Sequence, residues 1–157
     1  MAIVYLSLGS NLGNRRGQLI IASAKIAERA GDILALSDFY ETAPWGFQSQ
    51  YPFLNIAVKL ETALSPFDLL AVTQQIEREL GRTAKTLNSS YQDRLIDIDI
   101  LLYDNLILDI PELTLPHPLM HKRLFVLEPL TEIAPKLNHP VMNRSIADLL
   151  SDLEKQS

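Results

Sequence analysis

An α+β fold with the order β-α-β-β-α-β is predicted by the alternation of two kinds of segment along the chain. Four short apolar runs carry strand patterning and two longer stretches carry helical spacing, with no repeat or linker between them. Capping residues and glycines fall at the joints.

Ile3 to Leu8 reads as a short buried strand, and Gly9-Ser10-Asn11-Leu12-Gly13-Asn14 as a loop by composition. From Arg15 to Ala30, Leu19, Ala22, Ile26, Ala27 and Ala30 follow helical spacing, and Gly31 is the expected stop. Ile33 to Tyr40 reads as a second strand, and Thr42 to Pro52 as a long loop. In the third strand, Phe53 to Glu61, Leu54, Ile56, Val58 and Leu60 share one face, while Phe53, Asn55 and Ala57 share the other. Ser65-Pro66-Phe67-Asp68 starts a helix: Ser65 caps, Pro66 suits the first turn, and Asp68 serves as capping acid. Leu69, Val72, Thr73, Ile76 and Leu80 then face a core, and Gly81 is expected to end the helix. Arg82 to Asp93 has no periodicity and reads as a mobile loop. The fourth strand lies in Arg94 to Tyr103. This order matches the split βαβ, ferredoxin-like arrangement, an antiparallel sheet with helices on one side. A C-terminal helical extension follows: a short strand Leu106 to Leu108, a loop Pro111 to Pro118, a helix from Leu119 to Glu128, and a last helix beginning at Ser145.

At 157 residues the chain is long enough for one domain, 1–157, with a real core. Its net charge of −5 disfavours a nucleic-acid partner held through phosphates, though a local basic site for a nucleotide is compatible with it. The absence of cysteine excludes disulfides, thiolate zinc sites and a Cys nucleophile. Met1-Ala2-Ile3-Val4-Tyr5 lacks the charged start of a signal peptide, and no apolar run reaches membrane-spanning length, so a cytoplasmic protein without membrane contact is expected.

The fourth strand carries the chemistry. Alternation puts Ile96, Ile98, Ile100 and Leu102 on one face, and Leu95, Asp97, Asp99, Leu101 and Tyr103 on the other. Two carboxylates on one face, with Cα atoms roughly 7 Å apart, raise each other's pKa unless a cation lies between them. A hard divalent cation fits, because Mg²⁺ favours one or two carboxylates together with substrate phosphates. A half-buried strand with its polar face in water fits the alternation equally well. Arg82, Lys85 and Arg94 bracket the loop ahead of this strand, and Arg123 follows His117 by a few residues. Such recurrence around one acidic strand suits phosphoryl transfer, which needs metal on the anionic oxygens and cations for the transition state. His117, between Pro116 and Pro118, is either a rigidly held donor to an anion or a surface histidine. With His121 it has the spacing of a zinc-protease pair, but Pro118 stands where the Glu should be. Gln74 and Glu77 lie one turn apart, off the apolar stripe of their helix, and by themselves read as a solvated face. Phe53, Trp45 and Phe125 with Asn55 suggest an aromatic slot with one polar reader, although by pattern alone Phe53 and Phe125 read more readily as core. Gly9 to Gly13 lacks the spacing and Lys of a phosphate loop and reads as a tight turn.

Several segments, in order, resemble one family: Gly9-Ser10-Asn11-Leu12-Gly13, Phe39-Tyr40-Glu41-Thr42-Ala43-Pro44, Phe53-Leu54-Asn55, Arg94 to Leu101, Pro116-His117-Pro118, Arg123-Leu124-Phe125-Val126-Leu127 and Pro129 to Pro135. These are similar to the 6-hydroxymethyl-7,8-dihydropterin pyrophosphokinases of folate biosynthesis. The resemblance implies transfer of pyrophosphate from ATP to the pterin hydroxymethyl group, with release of AMP. It implies two Mg²⁺ ions held by Asp97 and Asp99, and Arg82 and Arg94 closing over the triphosphate. It implies ATP contacts at Gln74, Glu77, Lys85, Thr114, His117 and Arg123, and pterin contacts at Thr42, Trp45 and Asn55 with Phe53 and Phe125 stacking. A monomer is expected. The chain departs from the family pattern at Ser90-Tyr91-Gln92-Asp93, where many relatives have Trp-Gly-Pro, and at Ala84 and Leu119. A ligand-binding regulatory module and a metal-dependent hydrolase on the same scaffold are the rival readings.

Overall fold

The structure, a computed structural model, describes residues 1–42, 52–82 and 96–156. Its main sheet is built around β1 (Ala2–Ser10), which is buried almost throughout. β4 (Phe53–Thr62) lies antiparallel on one side of β1, and β5 (Asp97–Tyr103) lies antiparallel on the other. β2 (Asp32–Leu36) completes the order β2-β4-β1-β5, and β3 (Tyr40–Thr42) extends the same edge of β4. This is the ferredoxin-like topology expected from the element order.

α1 (Arg15–Arg29) and α2 (Pro66–Glu77) cover one face of the sheet. Leu19, Ala22 and Ile26 of α1 and Leu69 and Ile76 of α2 meet Val4, Leu6, Leu8, Val58, Leu60, Ile98 and Ile100. The caps are local: Asn14 accepts the Gly17 N–H at 3.0 Å, and Ser65 accepts the Asp68 N–H at 3.1 Å. Across the helix pair, Glu79 accepts hydrogen bonds from Arg29 and Lys25, which hold its carboxyl down to about 2.

The two core helices lie on one side as expected, and the C-terminal extension covers the other face. α3 (Leu124–Ile133) and α4 (Ile146–Glu154) bring Val126, Leu127, Leu130, Ile146 and Leu149 onto Tyr5, Ala57, Leu101 and Leu102. Strict alternation would put Leu102 opposite Leu101. Instead Tyr5 pairs with Leu102 and Leu6 with Ile100, so Leu101 is an extra residue at a β-bulge and the faces switch beyond it. Tyr103 accordingly packs on the α1–α2 side. Asp97 and Asp99 precede the bulge and stay on the α3 side.

Other boundaries also differ. The expected strand Ile33 to Tyr40 is two strands, because at the break the Ser37 side chain accepts the Ala57 N–H at 2.8 Å. Thr42, expected in a loop, belongs to β3. Gly81 does not stop its helix: α2 runs on into a π turn, Arg78–Arg82, as the Arg78 N–H reaches both Gln74 O and Gln75 O. The expected strand at 106–108 and loop at 111–118 resolve into a hairpin of β6 (Leu108–Ile110) and β7 (Leu113–Leu115). The helix expected over 119–128 is a 3₁₀ turn, Met120–Lys122, followed by α3, with Arg123 extended between them.

Gly31 joins α1 to β2 at φ 155, and a Cβ there would run into the Glu61 carbonyl. Gly31→Ala should therefore cost about 2–3 kcal/mol through backbone strain, read as a lowered urea midpoint with unchanged slope.

Candidate active site

Register decides which side chains share the α3 face. Gly9 pairs with Asn55 on one side and Asp97 on the other, and Ser7 pairs with Ala57 and Asp99. Directly opposed residues in antiparallel strands point the same way. Two parallel rows therefore cross the sheet, Asn55–Gly9–Asp97 and Ala57–Ser7–Asp99. The middle residue of each row is small, which lets the Asn55 and Phe53 side chains lean over Gly9. Gly9 is required there: a Cβ would sit 2.6 Å from Asn55 Oδ1 and 3.3 Å from Phe53 Cδ1. Sequence patterning assigned Gly9 only to a turn; its cross-strand neighbours carry no local signal.

Asn55 is buried, with its amide donating to Thr42 Oγ1 at 3.1 Å. In this arrangement Oδ1 lies over Gly9. Phe53 is half-buried on the same strand face, opposite Thr42 of β3.

Asp97 and Asp99 are half-buried on an edge strand. Arg123, at the start of α3, brings Nη1 to 3.9 Å from Asp99 Oδ2 and lies 5.5 Å above the Phe125 ring. The extended backbone at Arg123 is what turns this side chain toward β5. Glu77 lies on the outer edge of β5, where its carboxylate accepts the Ile98 N–H at 2.7 Å. It thereby holds the end of α2 against the strand, midway between the two aspartates, so it is no solvated bystander.

His117 is fixed by two bonds. Its N–H donates to the Leu101 carbonyl at 2.9 Å, and its Nδ1 accepts the Leu119 N–H at 3.2 Å. The proton of the neutral ring is therefore on Nε2, free to donate. Burial, then nearby Arg123, push His117 down to about 4, with Asp97 opposing. His121 is in the 3₁₀ turn, its ring edge-on to His139 at 6.4 Å, and does not share a helix face with His117. Among the described residues no group of three or more His, Asp and Glu could hold a metal ion alone. The two aspartates offer hard oxygen donors on one face, which suits Mg²⁺ completed by phosphate oxygens rather than an all-protein cage.

Thr114 is half-buried in β7. Gln74 is exposed on α2, and its carbonyl serves the π turn. Arg82 closes that turn. Trp45, Lys85 and Arg94 lie outside the described residues. A separate cleft of about 590 Å³ beside β3 is lined by Arg15, Arg16, Phe39 and Glu41 on the α1 side. Its cations are engaged locally, Arg15 with Glu41 at 2.7 Å and Arg16 4.3 Å above Phe39.

Residues 5–135 match the family model of 7,8-dihydro-6-hydroxymethylpterin-pyrophosphokinase. The chain belongs to this family. A Porphyromonas gingivalis relative, 2-amino-4-hydroxy-6-hydroxymethyldihydropteridine pyrophosphokinase, is 56% identical over 141 residues, covering 89% of this chain and 95% of the relative. One of the same name from Bacillus subtilis is 46% identical over 132 residues, covering 83% and 77%. Wild-type Plasmodium falciparum HPPK-DHPS matches in fold, with TM-score 0.77 at 18% identity, covering 99% of this chain and 45% of that one. This member of the pyrophosphokinase family is thus an enzyme, a diphosphotransferase of folate biosynthesis.

The depressed His117 pKa has a definite sign. A histidine held neutral in the folded protein contributes stability above its unfolded pKa of about 6.5, and loses it as pH falls toward the folded value of about 4. Nitrogen NMR should find His117 neutral and protonated on Nε2 at pH 5.5; an imidazolium there would contradict its burial.

Proposed function

We propose that the two rows on the α3 face bind the two substrates of one reaction, the pterin over Asn55 and the triphosphate over Asp97 and Asp99. The hydroxymethyl oxygen of 6-hydroxymethyl-7,8-dihydropterin attacks the β-phosphorus of ATP. The bond from that phosphorus to the oxygen bridging to the α-phosphorus breaks, AMP leaves with the electron pair, and the alcohol proton passes to solvent. The observation that carries this reading is the Asn55–Gly9–Asp97 row. It sets a polar reader and a carboxylate suited to metal about two strand spacings apart, roughly 10 Å, with a glycine as the strand residue between them.

Each residue has a definite task. Asn55, oriented by Thr42, offers a donor and an acceptor to the edge of the heterocycle. Phe53 and Phe125 supply faces for stacking, and Trp45 completes the slot. Asp97 and Asp99 would hold two Mg²⁺ ions, which would supply positive charge against the triphosphate and acidify the attacking alcohol. Arg123 and the Nε2–H of His117 meet phosphate oxygens beside the aspartates, and Glu77 keeps β5 aligned while they do so. Gln74 and Thr114 contact the nucleotide. Arg82, Lys85 and Arg94 stabilise charge as it moves onto AMP. The enzyme works as a cytoplasmic monomer on small molecules. Among the described residues no helix is long and apolar enough to cross a membrane.

A coupled assay separates this from a hydrolase or a binding module. AMP should form only when pterin is present; phosphate without pterin would mean hydrolysis. Asp97→Ala should lower kcat by about three orders of magnitude or more and remove the Mg²⁺ dependence of nucleotide binding, with the far-ultraviolet spectrum unchanged. Undiminished AMP formation would eliminate the metal role. Phe125→Ala should weaken pterin binding about tenfold, the scale of one lost aromatic stack, while ATP binding changes little. Equal losses for both ligands would contradict stacking.

A further inference from the structure

β3 is only three residues long, yet it supplies the Thr42 hydroxyl that orients Asn55. Such a short edge strand has little register strength of its own. It is gripped on both faces. On the α1 side, Glu41 pairs with Arg15 at 2.7 Å. On the α3 side, the Glu132 carboxylate accepts the Tyr40 hydroxyl at 2.7 Å and the Asp38 N–H at 3.1 Å. Tyr40 is the direct cross-strand partner of Asn55. Glu132 thus acts two residues from Thr42, on the face that holds the site, and no residue already assigned to either substrate does this.

We propose that Glu132 is a positioning residue for the pterin. It holds β3 through Tyr40 and Asp38, so that Thr42 keeps the Asn55 amide turned toward its ligand. α3 is the lever arm of this device. It starts at Arg123 and Phe125 and ends with Glu132, so one rigid helix ties the phosphate side of the site to the strand that sets the heterocycle reader. The Tyr40 phenol, pushed up to about 12 by this hydrogen bond and by burial, gives the contact a separate signature. The inference rests on pterin binding at Asn55, and the experiment tells the two apart.

Initial rates are measured against pterin at saturating ATP and Mg²⁺, and against ATP at saturating pterin. Glu132→Ala and Tyr40→Phe should each raise the pterin KM about five- to tenfold, the scale of one ordinary hydrogen bond. The kcat and the ATP KM should stay near wild type. Glu132→Gln keeps an oxygen for Tyr40 and should recover most of the loss. The Tyr40 phenol, read as the difference between parent and Tyr40→Phe titrations, should ionise at lower pH once Glu132 is removed. Should Glu132→Ala fold poorly, Tyr40→Phe carries the same test without removing a charge. An unchanged pterin KM in these variants, while Asn55→Ala raises it, would overturn the role of Glu132 and leave the pterin site standing. An unchanged pterin KM in Asn55→Ala would remove the pterin site and the proposal together. A parallel fall in kcat and in affinity for both substrates would reduce Glu132 to a structural clamp and overturn it as well.

Discussion

Everything in the site depends on the register of β1 against its two neighbours. Because Gly9 lies between Asn55 and Asp97, and Ser7 between Ala57 and Asp99, the strand at the centre of the sheet becomes a floor of small residues with polar side chains on either side. A slip of one residue would turn both aspartates into the α1–α2 core and point Ile98 to the α3 face. The hydrophobic pattern forbids that slip. Val4, Leu6 and Leu8 of β1 and Ile98 and Ile100 of β5 are nearly or fully buried on the α1–α2 side, and burying even one aspartate there unpaired would cost several kcal/mol. The apolar face sets the register, and the register sets the site.

The aspartates themselves work against the fold. Two carboxylates roughly 7 Å apart repel by roughly 2 kcal/mol at an effective dielectric constant of about 20. Their surroundings answer this with positive charge and with donors. Arg123 approaches Asp99, and the neutral His117 ring adds a donor without adding a second fixed cation. The Glu77 carboxylate, close by, is occupied by the Ile98 N–H.

The elements around this floor are held by polar contacts at their ends more than by length. β3 has three residues and α3 has ten, yet each is pinned where the chemistry needs it. Arg123 is extended between a 3₁₀ turn and α3, Glu132 reaches back to Tyr40, and the segment bearing His117 is hung on the Leu101 carbonyl at the β-bulge. The bulge has a second effect: it moves Leu102 beside Leu101, onto the face where α3 and α4 pack.

The sequence by itself determined the ferredoxin-like order, the cap at Ser65, the start of the last helix at Ser145, the alternation of β4, and the placing of both aspartates on one face. These are local properties, set by periods of two and 3.6 residues and by the donors each helix end must satisfy. The resemblance to a known family added the reaction. Only the tertiary structure decided that helices cover both faces, that a bulge reverses Leu102 and Tyr103, and that one strand breaks at Ser37. It alone brought Gly9 under Asn55 and Glu132 to Tyr40. The physical reason is separation along the chain: Glu132 lies 92 residues from Tyr40, and such contacts are set by packing and register, for which no run of neighbouring residues carries a signal.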